Sequence, residues 1–142
     1  SFLFIFLFFI FKDLKFVLIT FSCLLIGVIF TLFFMILFNL NFNFANMISL
    51  PLLFSLGVSY PVYFLRRYRE LGNLNKVIRS KTPPAILLSA STTICSFSTL
   101  AISGHQGTSS MGILLFISLT MTLISSLIFL PLIIKMFKIS SR

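Results

Sequence analysis

The chain has 142 residues, of which 58% are hydrophobic and 9% charged, and its mean hydropathy is +1.15. Water-soluble domains carry about 25% charged residues, so this composition excludes a soluble globular domain and indicates a membrane protein. The net charge of +9 comes from basic residues that lie between apolar stretches, which favours a role in membrane topology over nucleic-acid binding.

Five apolar stretches follow one another along the chain. Residues 1–11 contain a stub too short to cross a bilayer, which we expect to be the end of a helix cut by the boundary of a fragment. Residues 16–38 contain no charge and would span about 34 Å as a helix. Three further spans are predicted at residues 47–65, 84–103 and 111–134.

Polar connections separate these spans. Residues 66–82 are expected to form a cytoplasmic loop, and the prolines at 83 and 84 suit the start of the next helix, where their missing amide hydrogens are not needed. The glycines of GHQGTSS, residues 104–110, predict a loop before the last span. No connection is long enough for a folded domain, so no periplasmic domain is expected within this chain.

All eleven basic residues fall on one side of the predicted topology. Two lie before the first full span, six in the segment 66–82 and three in the tail, whereas residues 39–46 and 104–110 carry no charge. The positive-inside rule places the basic side, and with it the C-terminus, in the cytoplasm. The cytoplasmic basic cluster predicted in this way consists of Arg66, Arg67, Arg69, Lys76, Arg79 and Lys81.

A proline interrupts the second full span. Because Pro61 has no amide hydrogen, the carbonyl of Gly57 loses its helical partner, which predicts a kink near Ser59. In hydrocarbon such a carbonyl needs another donor, either from a neighbouring helix or from water. The sequence therefore predicts a wet or tightly packed interior site at this depth.

Hydroxyl side chains form a stripe on the span 84–103. Their three- and four-residue spacing places on one helix face Ser89, Thr92, Ser96, Thr99 and Ser103, with Thr93 beside them. Such a stripe can line a hydrated proton relay or pathway, or it can only pack one helix against another. The sequence leaves both interpretations open. The candidate relay residues are Ser59, Tyr60, Thr92, Thr93 and Ser96.

Nothing in the sequence indicates an enzyme. No nucleophile and base pair, phosphate-binding loop or metal-ligand spacing is present, and the single histidine, His105, lies in a predicted loop. Cys23 and Cys95 fall inside apolar stretches, where a thiol acts as a small hydrophobe. A function without catalytic residues, metal or cofactor is expected.

Four motifs resemble the resistance-nodulation-division (RND) exporters of the MMPL-like branch. LGVSYPVYFLRRYRE, residues 56–70, is similar to the family's Gly-Val-Asp-Tyr and Arg-Tyr-Arg-Glu, and LLSASTTICSFSTL, residues 87–100, looks like the helix that follows. Residues 103–134 resemble the end of the hopanoid-biosynthesis-associated RND transporters, with His-x-Gly-Thr-x-Ser-Met-Gly and a closing Leu-Pro. The resemblance covers nearly the whole chain, in order.

This resemblance implies an all-α membrane protein of the bacterial inner membrane. The chain would supply the last five transmembrane helices of a twelve-helix transporter, the first of them truncated. The implied activity is export of lipids or other hydrophobic molecules, including hopanoids, driven by the proton gradient. The partners implied are membrane lipids, the N-terminal half of the same transporter and further copies in a homo-oligomer; nucleic acid is not among them.

Ser59 stands where the family keeps a membrane-embedded aspartate. Because serine does not ionise, the resemblance implies that the proton-carrying acid lies in the other half of the transporter, with Ser59, Tyr60 and Thr93 as polar partners. Two alternatives stay open. One is a degenerate, non-transporting scaffold module, and the other is a protein-export helper of the related membrane fold.

Overall fold

The computed structural model describes residues 13–38 and 44–136, so the stub predicted at residues 1–11 lies outside the described part. The helices are α1 (Leu14–Leu37), α2 (Phe44–Gly57), α3 (Ser59–Leu71), α4 (Leu74–Ile78), α5 (Thr82–Ser98), α6 (Gln106–Ile124) and α7 (Leu130–Met136). A 3-10 turn, Thr99–Ile102, extends α5, and a π-helical turn, Ser125–Phe129, joins α6 to α7.

Four continuous stretches among these helices have the length and apolar composition needed to cross a bilayer. They are Leu14–Leu37, Met47–Leu71, Thr82–Ile102 and Gln106–Met136. No strand occurs in the described residues. The prediction of an all-α membrane protein is therefore confirmed.

The second stretch continues as a helix beyond the limit expected at residue 65. α3 extends to Leu71 because arginine and glutamate are good helix formers and Arg67 bonds to Glu70 three residues later, at 2.7 Å. It ends at Gly72, whose φ of 64° is left-handed and is adopted by glycine without strain. Much of the segment expected to be a loop, residues 66–82, is thus helical.

The last stretch begins at Gln106, earlier than the expected residue 111. Gly112 does not interrupt α6, because it lies directly against the backbone of the 3-10 turn, where a Cβ would be 2.7 Å from the carbonyl carbon of Leu100. The hydroxyl of Ser109 donates to the backbone oxygen of Ala101 at 2.7 Å. Packing across the connection therefore reduces the expected loop 104–110 to a few residues.

α6 lies at the centre of the bundle, where it contacts α1, α2 and α5. In the stretch Gln106–Met136, 50% of the apolar segment is buried inside the bundle, whereas in Thr82–Ile102 the buried share is 11%. α5 therefore lies at the edge of the described bundle, with most of its surface uncovered.

Two glycines allow α1 and α2 to approach α6 closely at Thr122. A Cβ at Gly27 would lie 2.9 Å from the Thr122 hydroxyl oxygen and 3.1 Å from its Cα, and one at Gly57 would lie 3.0 Å from its methyl group. Small residues permit this kind of close backbone contact between membrane helices. Thr122 itself is fully buried and donates to the backbone oxygen of Ser118 at 2.7 Å.

A π-helical turn ends at Phe129, two residues before Pro131. Proline has no amide to donate to residue 127, and a π turn is a common way for a helix to absorb such an irregularity. In this turn Ser125 donates to the backbone oxygen of Cys23 at 2.8 Å, and its oxygen lies 3.4 Å from the Cys23 sulfur. Because the hydroxyl has one hydrogen, the thiol is the donor in the second contact. Cys23 is thus a bonded residue that joins α1 to α6.

Replacing Ser125 by Ala should lower the free energy of unfolding by about 1 kcal/mol, because interhelical hydrogen bonds in membrane proteins contribute about 0.6 kcal/mol on average and 1.7 at most. SDS titration of the purified full-length protein in mixed micelles measures the change. Ser91→Ala is the matched control, since Ser91 is exposed and donates to Leu87 of its own helix. Equal losses in the two variants would contradict a role for Ser125 in joining the helices.

Candidate functional site

The helical hydrogen bonding of the second membrane stretch is irregular at Val58, between α2 and α3, where the backbone stays right-handed with φ −59° and ψ −31°. Pro61 offers no amide hydrogen to the carbonyl of Gly57, which removes one bond from the helical pattern at this point. The hydroxyl of Ser59 donates to the backbone oxygen of Leu56 at 2.6 Å. Ser59 is therefore the first residue of α3, and its side chain is bonded to the preceding turn.

A cavity of about 360 Å³ lies between α3 and the start of α5, and we call it the α3–α5 cavity. Its volume falls within the range of about 300–1,000 Å³ that is typical of small-molecule sites. The polar residues in its lining are Ser59, Tyr60, Tyr63, Arg67, Lys81, Thr82 and Ser89. The two relay candidates of α3, Ser59 and Tyr60, thus share one cavity with two members of the basic cluster.

Two buried polar atoms in this lining have no hydrogen-bond partner among the described residues. They are the hydroxyl of Tyr60 and the Nε of Arg67. Tyr60 is 4% exposed, while Arg67 is half-buried and donates from Nη1 to Glu70 at 2.7 Å. A buried polar group without a partner costs about 1–3 kcal/mol, so a hydrogen-bond acceptor beside either atom would stabilise this part of the bundle.

The three relay candidates on α5 are not among the residues that line this cavity. Thr92 and Thr93 donate to the backbone oxygen of Ser89 at 2.8 and 3.0 Å, and Ser96 donates to that of Thr92 at 2.8 Å. Thr92 and Ser96 are exposed and Thr93 is partly exposed. These hydroxyls therefore lie on the uncovered side of the described bundle, each bonded within its own helix.

The basic cluster is distributed over α3, α4 and the start of α5. Arg66 and Arg67 pair with Glu70 at 3.8 and 2.7 Å, and Arg69 pairs with Asp13 at 3.5 Å. Ion pairs this exposed contribute about 0–1 kcal/mol each. The other three members, all exposed, are Lys76, Arg79 and Lys81.

The basic residues of the described part gather at one end of the bundle. The pair of Asp13 and Arg69 joins the start of α1 to the end of α3. A second cavity, of about 480 Å³, is lined by Tyr68 of α3, by α4 and by Lys135 of α7. The start of α5 lies at the same end, because Lys81 and Arg67 line one cavity.

The most deeply buried hydroxyl side chains of the described residues lie mainly on α1 and on α6 with its π turn. They include Thr20, Ser118, Thr122, Ser125 and Ser126. Sequence reasoning missed this set, although residues 118, 122 and 125 have the same four- and three-residue spacing as the stripe on α5. Spacing identifies a helix face, but it does not say which neighbour covers that face.

No group of three or more histidine, cysteine, aspartate or glutamate side chains that could hold a metal ion occurs in residues 13–38 and 44–136. The α3–α5 cavity contains hydroxyl, phenol and cationic groups, all of which donate hydrogen bonds. Its chemistry therefore suits polar or anionic groups rather than cations.

Two curated proteins align with most of this chain. The hopanoid transporter HpnN of Burkholderia multivorans is 42% identical over 108 residues, which is 76% of this chain and 12% of that protein. The hopanoid transporter HpnN of Rhodopseudomonas palustris is 43% identical over 96 residues, or 68% of this chain and 11% of that protein. The chain therefore spans only a small part of the length of these relatives.

No family model matches the chain, and no solved structure matches it. The names of the two relatives nevertheless agree with the family that the motifs resemble, and the four apolar helical stretches are those of a membrane protein. The resemblance inferred from those motifs is confirmed: the chain is a membrane protein and a relative of the RND-type hopanoid transporters.

Proposed function

We propose that this chain forms part of the membrane domain of an RND-type exporter that moves hopanoids or related hydrophobic lipids with energy from the proton gradient. The observation that carries the proposal is the 42% identity over 108 residues to a protein named as a hopanoid transporter. Four helical stretches of bilayer length agree with it. The alignment covers 12% of that relative, so both the hopanoid substrate and the use of the proton gradient are proposed for this chain.

The proposed orientation puts the basic end of the bundle in the cytoplasm, across the bacterial inner membrane. The gathering of Arg69, Lys81 and Lys135 at one end supports it, because positive charges are retained on the cytoplasmic side. In this orientation the C-terminus is cytoplasmic. The chain would supply the last five of twelve transmembrane helices.

We propose that Ser59 and Tyr60 assist a proton relay and do not carry the proton. A membrane proton pathway is built on ionisable residues, and both acids, Asp13 and Glu70, lie at helix ends in pairs with arginines. The relay acid would then belong to the N-terminal half of the transporter. The uncovered hydroxyls of α5, Thr92, Thr93 and Ser96, would face that half.

Reconstitution of the full-length protein in liposomes tests the proposal. Hopanoid transfer to acceptor vesicles is measured with a proton gradient and again after a protonophore has collapsed it. The proposal expects faster transfer with the gradient, because proton movement provides the free energy. Equal rates in the two conditions would reject proton-driven export.

Ser59→Ala should slow gradient-driven transfer by about twofold to tenfold, the effect of one lost hydrogen bond, without abolishing it. The reason is that a relay partner can be replaced by water, whereas a proton carrier cannot. The matched control is Ser91→Ala, since Ser91 lies outside the α3–α5 cavity. Complete loss of transfer in Ser59→Ala, with normal protein levels, would instead make Ser59 essential to the relay.

The second candidate function is a degenerate, non-transporting scaffold module. The feature that favours it is Ser59, which the resemblance places where the family keeps an aspartate and which cannot ionise. The same liposome assay separates the two functions, because a scaffold would transfer no hopanoid in either condition. A protein-export helper of the related fold is less well supported, since both aligned relatives are named transporters.

A further inference from the structure

Two cationic side chains from different elements converge on the α3–α5 cavity. Arg67 projects from α3, and Lys81 lies directly before α5. Glu70 already accepts from Arg67 and lies 3.8 Å from Arg66, and Lys81 forms no ion pair with a described residue. A single carboxylate thus faces three cations, which leaves this end of the cavity positively charged.

The polar groups in the cavity that lack partners are hydrogen-bond donors. The Nε of Arg67 and the hydroxyl of Tyr60 are buried and unpaired among the described residues, and Tyr60 is 4% exposed. The accessible donors of the lining come from its two cations, the partly exposed Arg67 and the exposed Lys81. Donors of this kind suit a phosphate group, whose several oxygens accept bonds from arginine and lysine.

The other wall of the cavity is apolar and opens onto the surface of the bundle. Ala85 and Ile86 belong to the lining. The neighbouring Leu87 and Leu88 are 45% and 72% exposed on a helix that is long and apolar enough to span a bilayer. A ligand bound here would therefore have a phosphate at its polar end and a hydrocarbon chain beside it, which is the chemistry of a phospholipid.

We infer that the α3–α5 cavity binds the phosphate group of an anionic membrane phospholipid through Arg67 and Lys81. Basic residues near an anionic membrane surface attract such lipids, and here the two cations line a cavity with an apolar wall, which a superficial charge patch lacks. The site goes beyond the proposed export function, because it requires neither a proton gradient nor movement of the bound lipid. In the proposed orientation the lipid would belong to the cytoplasmic leaflet.

Native mass spectrometry of the purified full-length protein in detergent tests the inference. The protein is titrated with dioleoylphosphatidylglycerol, with dioleoylglycerol, which has the same chains but no phosphate, and with inorganic phosphate. We expect the phosphatidylglycerol to bind, and Lys81→Gln and Arg67→Gln each to weaken its binding by about tenfold. Arg79→Gln is the matched control, because Arg79 is an exposed cation of the same segment outside this lining.

Each outcome of this experiment decides for or against the site. Binding of phosphatidylglycerol that falls in Lys81→Gln and not in Arg79→Gln supports a lipid ligand. In another outcome, inorganic phosphate binds at millimolar concentration and loses this binding in Lys81→Gln. That result supports the phosphate site and shows that soluble phosphate is its ligand. Equal binding of dioleoylglycerol, or equal losses in Lys81→Gln and Arg79→Gln, would overturn it. Lys81 is exposed, so its variant should fold normally, and SDS titration checks this.

Discussion

Replacing Gly112 by Ala should lower the free energy of unfolding by about 3 kcal/mol, at the upper end of the range for overpacked positions. A Cβ at this position would clash with the backbone nitrogen of Ala101 and lie 2.7 Å from the carbonyl carbon of Leu100. These are backbone atoms of the 3-10 turn, which cannot rotate away as a side chain can. α6 and the end of α5 would therefore have to separate. SDS titration of the full-length protein in mixed micelles measures the loss.

Gly104→Ala is the matched control for this variant. Gly104 lies in the same connection between α5 and α6, but a Cβ there would meet nothing within 4 Å. Its backbone is not left-handed either, because Gly72 is the glycine with positive φ in the described residues. The control should stay within about 0.5 kcal/mol of the natural protein, as surface substitutions usually do. A Gly112→Ala variant as stable as this control would show that α6 and the turn do not pack this closely.

The existence of the helices could be predicted from the sequence, whereas several of their ends could not. Residues 16–38 contain no charge, and a stretch of that length is compatible with a helix that crosses the bilayer. The arginines from Arg66 onward were expected to end the second full span, but α3 continues to Leu71. Charge marks where a segment leaves hydrocarbon, and arginine and glutamate remain good helix formers in water.

The start of α6 at Gln106, before the predicted residue 111, has a different reason. Glycines such as Gly104 and Gly107 predict a loop when only local sequence is considered. In the structure Gly112 is required by its contact with the 3-10 turn, and the helix accepts the low propensity of glycine, about 1 kcal/mol. Contacts between residues eight or more positions apart decide this boundary, and they are not visible in a local pattern.

The candidate site could be predicted only in part. The kink predicted from Pro61 makes Ser59 and Tyr60 candidate site residues, and both line the α3–α5 cavity. Their role in a relay stays a prediction. The convergence of Arg67 and Lys81 on the same cavity depends on α4, which turns the chain back toward α3. No periodicity in the sequence indicates that α4 brings the chain back to α3. The sequence therefore predicts only that Arg67 and Lys81 belong to the basic cluster.

Replacing Gly27 by Ala should lower the free energy of unfolding by about 2 kcal/mol, within the range of about 1–3 for overpacking. Its Cβ would lie 2.9 Å from the hydroxyl oxygen of Thr122 and 3.1 Å from its Cα, so α1 would have to move away from the central helix. Gly57→Ala should be less damaging, about 1 kcal/mol, because its Cβ would meet side-chain atoms, the methyl group of Thr122 and the Cδ2 of Leu24, at 3.0 and 3.3 Å.

The two glycines can be distinguished by a second change at Thr122. Thr122→Ser removes the methyl group that a Cβ at Gly57 would meet, so it should restore most of the stability lost in Gly57→Ala. It leaves the oxygen and the Cα that a Cβ at Gly27 would meet, so Gly27→Ala should not recover. SDS titration of the two double variants, compared with the single ones, measures both couplings. Recovery of Gly27→Ala by Thr122→Ser would mean that the contact with α1 involves the methyl group and not the backbone of α6.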